Sequence, residues 1–149
     1  MPKEQFAQPG VPSLMIRRRI RASPERLFKA WTDPAQLTQW WGPLGVTCLG
    51  AEIDLVVHGR YRIGNQLPDG SVLWIAGEFE RIEPPHLLVY TWNLDHLALS
   101  GERVTVRFEA AGDTTDVVVL HEHIASAGAR ITHEIGWQGC LDGLEQFLA

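Results

Sequence analysis

An α+β domain is what this sequence predicts: one strand, two short helices, a run of antiparallel strands and a long C-terminal helix. Three observations carry that expectation. Apolar and polar residues alternate with period two in seven separate stretches. Pro68-Asp69-Gly70 and Ala111-Gly112-Asp113 are hairpin-type turns that join neighbouring stretches antiparallel. Over the last twenty residues the period changes, and Trp137, Leu141, Leu144 and Leu148 recur at helical spacing.

The elements follow in order. Three prolines and a glycine in the first twelve residues read as a flexible arm over 1–13, before a single domain over 14–149. Leu14 to Arg21 is a strand with Leu14, Ile16 and Ile20 on one face and Arg17, Arg19 and Arg21 on the other. Arg18 falls on the apolar face. An inward arginine needs a carboxylate, because a buried unpaired charge is prohibitive, and Asp54 and Glu78 are the expected partners. Ser23-Pro24 opens the first helix as cap and first residue, and Asp33-Pro34 opens the second in the same way. Trp40 and Trp41 close that second helix, which Gly42-Pro43 stops. Extended stretches then run over Thr47–Asp54, Arg60–Asn65, Val72–Ile82, His86–Trp92, Arg103–Glu109 and Thr115–His123. Between the fifth and sixth strands of the chain lies a loop from Leu94 to Gly101. In Arg103–Glu109 the residues Val104, Val106 and Phe108 share one face, which describes a sheet with one wet side.

Composition narrows the function. The chain has 149 residues, 45% of them hydrophobic, and a formal net charge of −5, which argues against nucleic acid or an anionic membrane as partner. No apolar run approaches the roughly 18 residues of a membrane span. The N-terminus shows no signal-peptide pattern, so the expected location is the cytoplasm. Cys48 and Cys140 fit no zinc or redox spacing and are expected as free thiols.

The segments Ala22-Ser23-Pro24-Glu25, Ala30-Trp31-Thr32-Asp33-Pro34 and Trp40-Trp41-Gly42-Pro43 resemble the opening of the START-like (SRPBCC) superfamily. The closest branch contains the proteins related to the C-terminal domain of the activator of Hsp90 ATPase. Gly59-Arg60-Tyr61-Arg62, Gly77 to Pro85, His121-Glu122 and Gly136-Trp137 continue the likeness, which covers residues 14 to 148. It implies the helix-grip fold: a curved antiparallel sheet wrapped around the C-terminal helix, with a deep apolar cavity between them. One departure stands out. The family commonly has two glycines where this chain has His58-Gly59, which leaves that turn open to a different conformation. The co-chaperone role in the branch's name is expected to be absent, because activators of Hsp90 carry a further N-terminal domain that this short arm cannot supply. Fold alone licenses no chemistry.

Candidate site residues come from residue type and spacing. Six tryptophans in one small domain favour an aromatic-lined pocket for a flat or apolar ligand, with Trp31 assigned to the core. Trp40, Trp41, Trp74, Trp92 and Trp137 are the expected lining, with Tyr61, Phe79 and Tyr90 as lesser candidates. Glu78, His121, His133 and Cys140 are the polar candidates. His121 and His123 share a strand face, and His133 and Cys140 share a helix face. If those faces meet, four zinc- or copper-type ligands converge, but polar groups closing one end of a cavity are the commoner arrangement. No metal and no cofactor is therefore expected. Gly136, Gly139 and Gly143 cluster on one side of the final helix, either for close packing or to leave room for a ligand. No nucleophile elbow or phosphate-binding glycine loop is present.

The functional expectation is binding of a small hydrophobic or aromatic molecule between sheet and helix. A cyclase, dehydratase or hydrolase acting on a cavity-bound substrate is the alternative, and monomer and homodimer both stay open.

Overall fold

A computed structural model describes residues 12–42, 45–94 and 101–149. Most of the expected N-terminal arm, Pro43, and most of the loop from Leu94 to Gly101 lie outside the described residues. The elements are β1 (Leu14–Ile20), α1 (Pro24–Thr32), α2 (Pro34–Trp40), β2 (Thr47–Ile53), β3 (Arg60–Gln66), β4 (Val72–Glu83), β5 (Leu87–Leu94), β6 (Glu102–Ala111), β7 (Thr114–Glu122) and α3 (Ala127–Leu148). The seven strands form one curled antiparallel sheet in the order β1-β7-β6-β5-β4-β3-β2. This is the helix-grip, α+β arrangement, with α3 against the inner face.

Capping chemistry explains where the first helices start and stop. Ser23 Oγ accepts from Arg26 N at 3.1 Å, and Pro24 occupies a position that needs no N–H. Asp33 serves both helices. Its backbone N–H donates to Lys29 O, ending α1, while its carboxylate accepts from Ala35 N at 3.1 Å, opening α2. Ser126 caps α3 by accepting from Ala129 N at 3.1 Å.

The His58-Gly59 turn keeps the glycine-like shape. His58 takes a φ of +69°, the left-handed region that costs other residues about 1–2 kcal/mol. At Gly59 a Cβ would stand 2.1 Å from Asp54 O, so only glycine fits.

Arg18 does point inward, but its partners are on α3. Its guanidinium donates to Asp142 (2.9 Å), Glu145 (3.1 Å) and Gln138 (2.7 Å). The expected partners fail because β1 lies at one edge of the sheet and the β2–β4 strands at the other. Arg17 and Arg19 bond Asp116 on the outer face.

The core lies between sheet and helices. Val104, Val106 and Phe108 of β6 and Val117 and Val119 of β7 are fully buried under Leu141 and Leu144 of α3. At about 25 cal/mol per Å² of apolar surface removed from water, such burial is the main stabilising term.

Candidate functional site

Five tryptophans meet in the core, and their packing decides how much space remains. Trp31 stacks on Trp137 (6.1 Å, 22°) and touches Trp40 (4.9 Å). Trp137 also packs edge-on against Trp41 (5.6 Å, 84°) and beside Trp92 (5.5 Å). These rings fill much of the space that the family resemblance implied would be a deep cavity. Buried indoles need hydrogen-bond acceptors. Trp40 Nε1 donates to Ala30 O (2.9 Å), Trp41 Nε1 to Asn65 Oδ1 (3.0 Å) and Trp137 Nε1 to His121 Nδ1 (3.0 Å).

What remains is a pocket of about 140 Å³ between the sheet and the first half of α3. Trp41, Trp92 and Trp137 supply its aromatic walls, and Leu73 and Ile75 of β4 its aliphatic floor. His133, Gly136 and Cys140 reach it from α3 at positions three and four apart, the spacing of one helix face. Asn65 joins them from β3. Burial pushes the Cys140 thiol up to about 12, so it stays protonated and behaves as a small apolar group.

A polar cluster backs the pocket at its His133 end. Glu102 Oε1 lies 2.7 Å from His121 Nε2 and 3.2 Å from His133 Nε2. The two imidazoles stack with centroids 4.4 Å apart, and Trp92 meets both edge-on. Burial pushes the Glu102 carboxyl upward, but the hydrogen bonds from His121 and His133 outweigh it and hold the group at about 2. Burial also moves His121 below its ordinary value.

The structure thus brings Trp41, Trp92, His133, Trp137 and Cys140 together at one pocket, with His121 directly behind it. The other expected site residues lie elsewhere. Trp40 is a core residue under α1. Tyr61, Phe79 and Tyr90 pack on one another around a separate space of about 20 Å³. That space is no larger than one water molecule and its walls are almost wholly apolar, so it holds no ligand. Trp74 and Glu78 are on the wrong face of β4: strand alternation points Ile75 and Phe79 inward and those two outward. There Trp74 stacks under Arg62 at 4.2 Å, and Glu78 bonds His58 Nδ1 at 2.9 Å. His123 does not follow His121, because β7 ends at Glu122 and His123 turns into a left-handed φ of +61°.

Two site residues escaped the sequence reading, and both left a signal. Asn65 follows Tyr61 and Ile63 on the inner alternation of β3, a polar residue at an apolar position. Glu102 precedes Val104, Val106 and Phe108 in the same alternation, but starting the strand at Arg103 left it out.

Residues 21–149 match the profile of the activator of Hsp90 ATPase homolog 1-like proteins. The chain belongs to that family. Among solved structures it is similar to protein CV1439 of Chromobacterium violaceum, with 25% identity and a TM-score of 0.81 over 90% of this chain and 94% of that one. The SPO3351 protein of Silicibacter pomeroyi gives 25% identity and a TM-score of 0.80, covering 92% of this chain and 97% of that one. An activator-like protein of Aeromonas hydrophila gives 26% identity and a TM-score of 0.78, covering 92% of each chain. No curated protein matches the sequence. Among the described residues no helix is long and apolar enough to cross a membrane.

Proposed function

We propose that this family member binds a small, flat apolar molecule, about one aromatic ring in size, between the sheet and the first half of α3. The observation that carries the proposal is the pocket itself: about 140 Å³ walled by Trp41, Trp92 and Trp137. An enclosed apolar cavity of about 150 Å³ takes up benzene, so the volume and aromatic walls here suit a single ring. Gly136 supports the reading, since a Cβ there would meet no atom within 4 Å although glycine costs the helix about 1 kcal/mol relative to alanine. The two free thiols, Cys48 and Cys140, support a cytoplasmic setting. Activation of Hsp90 is no part of the proposal, which rests on the pocket.

Toluene titration followed by tryptophan fluorescence tests it, because three indoles line the space. Saturable binding is expected in the natural chain, and Gly136→Leu, which fills the open side of the helix, is expected to abolish it. Comparison of native and denatured masses of the freshly purified protein adds a second measurement. A reproducible small organic mass lost on denaturation supports the proposal. No saturable toluene response, together with a bare mass, overturns it.

A further inference from the structure

Three side chains interrupt the apolar wall of the pocket, and in two of them the polar atoms are already bonded or only weakly hydrogen-bonding. The Asn65 amide is engaged on both sides: Oδ1 accepts from Trp41, and Nδ2 donates to the carbonyls of Ile63 and Leu73. The Cys140 thiol is protonated and a weak hydrogen-bonding group. His133 is the third, with 21% of its side chain still exposed.

The hydrogen-bond pattern assigns the protons behind His133, starting from Trp137. An indole N–H can only donate, so His121 Nδ1 accepts from it and carries no proton. The single proton of His121 is therefore on Nε2, donated to Glu102 Oε1. That assignment has a consequence for metals. The ligand atoms of Glu102, His121 and His133 all lie within 4.8 Å of one another, which resembles a cation site. Yet His121 Nε2 has no lone pair to offer while Nδ1 is held by the indole. The cluster is a hydrogen-bond relay: Trp137 to His121, His121 to Glu102, and His133 to the same Glu102 oxygen. In the neutral imidazole, with Nε2 of His133 donating to that carboxylate, Nδ1 is the ring nitrogen that accepts a hydrogen bond.

We propose that His133 is the polar anchor of the pocket, and that the ligand class is a single hydroxylated aromatic ring, a phenol whose O–H is donated to His133 Nδ1. The ring lies among Trp41, Trp92 and Trp137, and Glu102 is a positioning residue that fixes the orientation and tautomer of His133. This deepens the proposed function and rests on it.

The experiment compares p-cresol with toluene, which differ by one hydroxyl, by calorimetric titration of the full chain. A net hydrogen bond is worth about 0.5–1.5 kcal/mol, so p-cresol is expected to bind about 2- to 10-fold more tightly. His133→Phe is expected to weaken p-cresol binding more than toluene binding, erasing or reversing that preference. Glu102→Gln is expected to lower the ratio of p-cresol to toluene affinity, a readout that a merely structural loss, which weakens both probes alike, would not move. His133→Leu, read in the same way, decides the matter if His133→Phe does not fold. Equal affinity for the two probes in the natural chain overturns the phenol assignment and leaves the pocket standing. A preference that survives in the His133 variant overturns the anchor. Failure to bind either probe overturns the pocket reading itself and this inference with it.

Discussion

Gly143 and Gly136 stand seven residues apart on α3 in opposite circumstances. At Gly143 a Cβ would approach Trp40 O to 2.4 Å, so α2 and α3 meet backbone to backbone. At Gly136 a Cβ would meet nothing within 4 Å, and the residue faces the pocket. The surroundings match. The second half of α3 buries Leu141 and Leu144 completely and is clamped to β1 through Arg18. The first half leaves Ile131 and Ile135 58% and 66% exposed. One helix therefore carries a tightly packed half that holds the fold and a loosely packed half that leaves space. The sequence reading offered close packing and ligand room as rivals for the helix glycines. Close packing is realised at Gly143, while Gly136 leaves open space that the proposed function assigns to a ligand.

Substitutions in the two halves of α3 test this division. The largest expected effect is Leu144→Ala, which empties a fully buried site and should cost about 2–5 kcal/mol. Ile135→Ala, on the loose half, should stay within about 0.5 kcal/mol. Urea unfolding of both variants checks the contrast, and equal losses would refute the division of the helix. Next come the glycines. Gly143→Ala should destabilise by about 1–3 kcal/mol through overpacking against Trp40. Gly136→Ala should stabilise by up to about 1 kcal/mol through helix propensity. Thermal unfolding should show opposite signs at the two glycines, and the same sign would refute the division of the helix.

The polar cluster behind the loose half should show in acid. His121 is held below its ordinary value of 6.5, so the unfolded chain takes up a proton there before the folded chain does. Stability is fully present above about pH 6.5 and declines as pH falls from there. Glu102, held at about 2 against an ordinary 4.5, adds a second decline as pH falls from 4.5 towards 2. Unfolding free energy measured from pH 8 to 3 should show both, and His121→Gln should remove the first. A small effect is also expected at Arg18. Asp142 and Glu145 are 63% and 50% exposed, so Arg18→Met should cost about 1 kcal/mol or less, and still less in high salt.

The order of elements was legible because alternation and capping are local. Ser23, Asp33, Gly70 and Gly112 act where their chemistry says they should. The site was legible only in part, because it depends on which face of each strand is inner and on which elements meet across the sheet. Trp74 and Glu78 share a face of β4, but it is the outer one, which Glu80 beside Glu78 and Leu73, Ile75 and Phe79 on the opposite face already mark. Arg18 was read as inward, yet its partners come from a helix more than a hundred positions away. Glu102 was lost to one residue of strand boundary.

The pairing of β1 with β7 has a consequence for how the chain is made. Arg17 and Asp116, bonded across that pair, are 99 positions apart in sequence. The hairpins from β2 to β7 can form one after another as the polypeptide emerges, but β1 has no neighbour until β7 has been synthesised. Until then Leu14, Ile16 and Ile20 have no partner strand, and closure must overcome the entropy of a very long loop. β1, made before the other six described strands, is thus among the last to be secured, and the nascent chain carries an open apolar edge until β7 emerges, when aggregation or capture by a chaperone competes with folding.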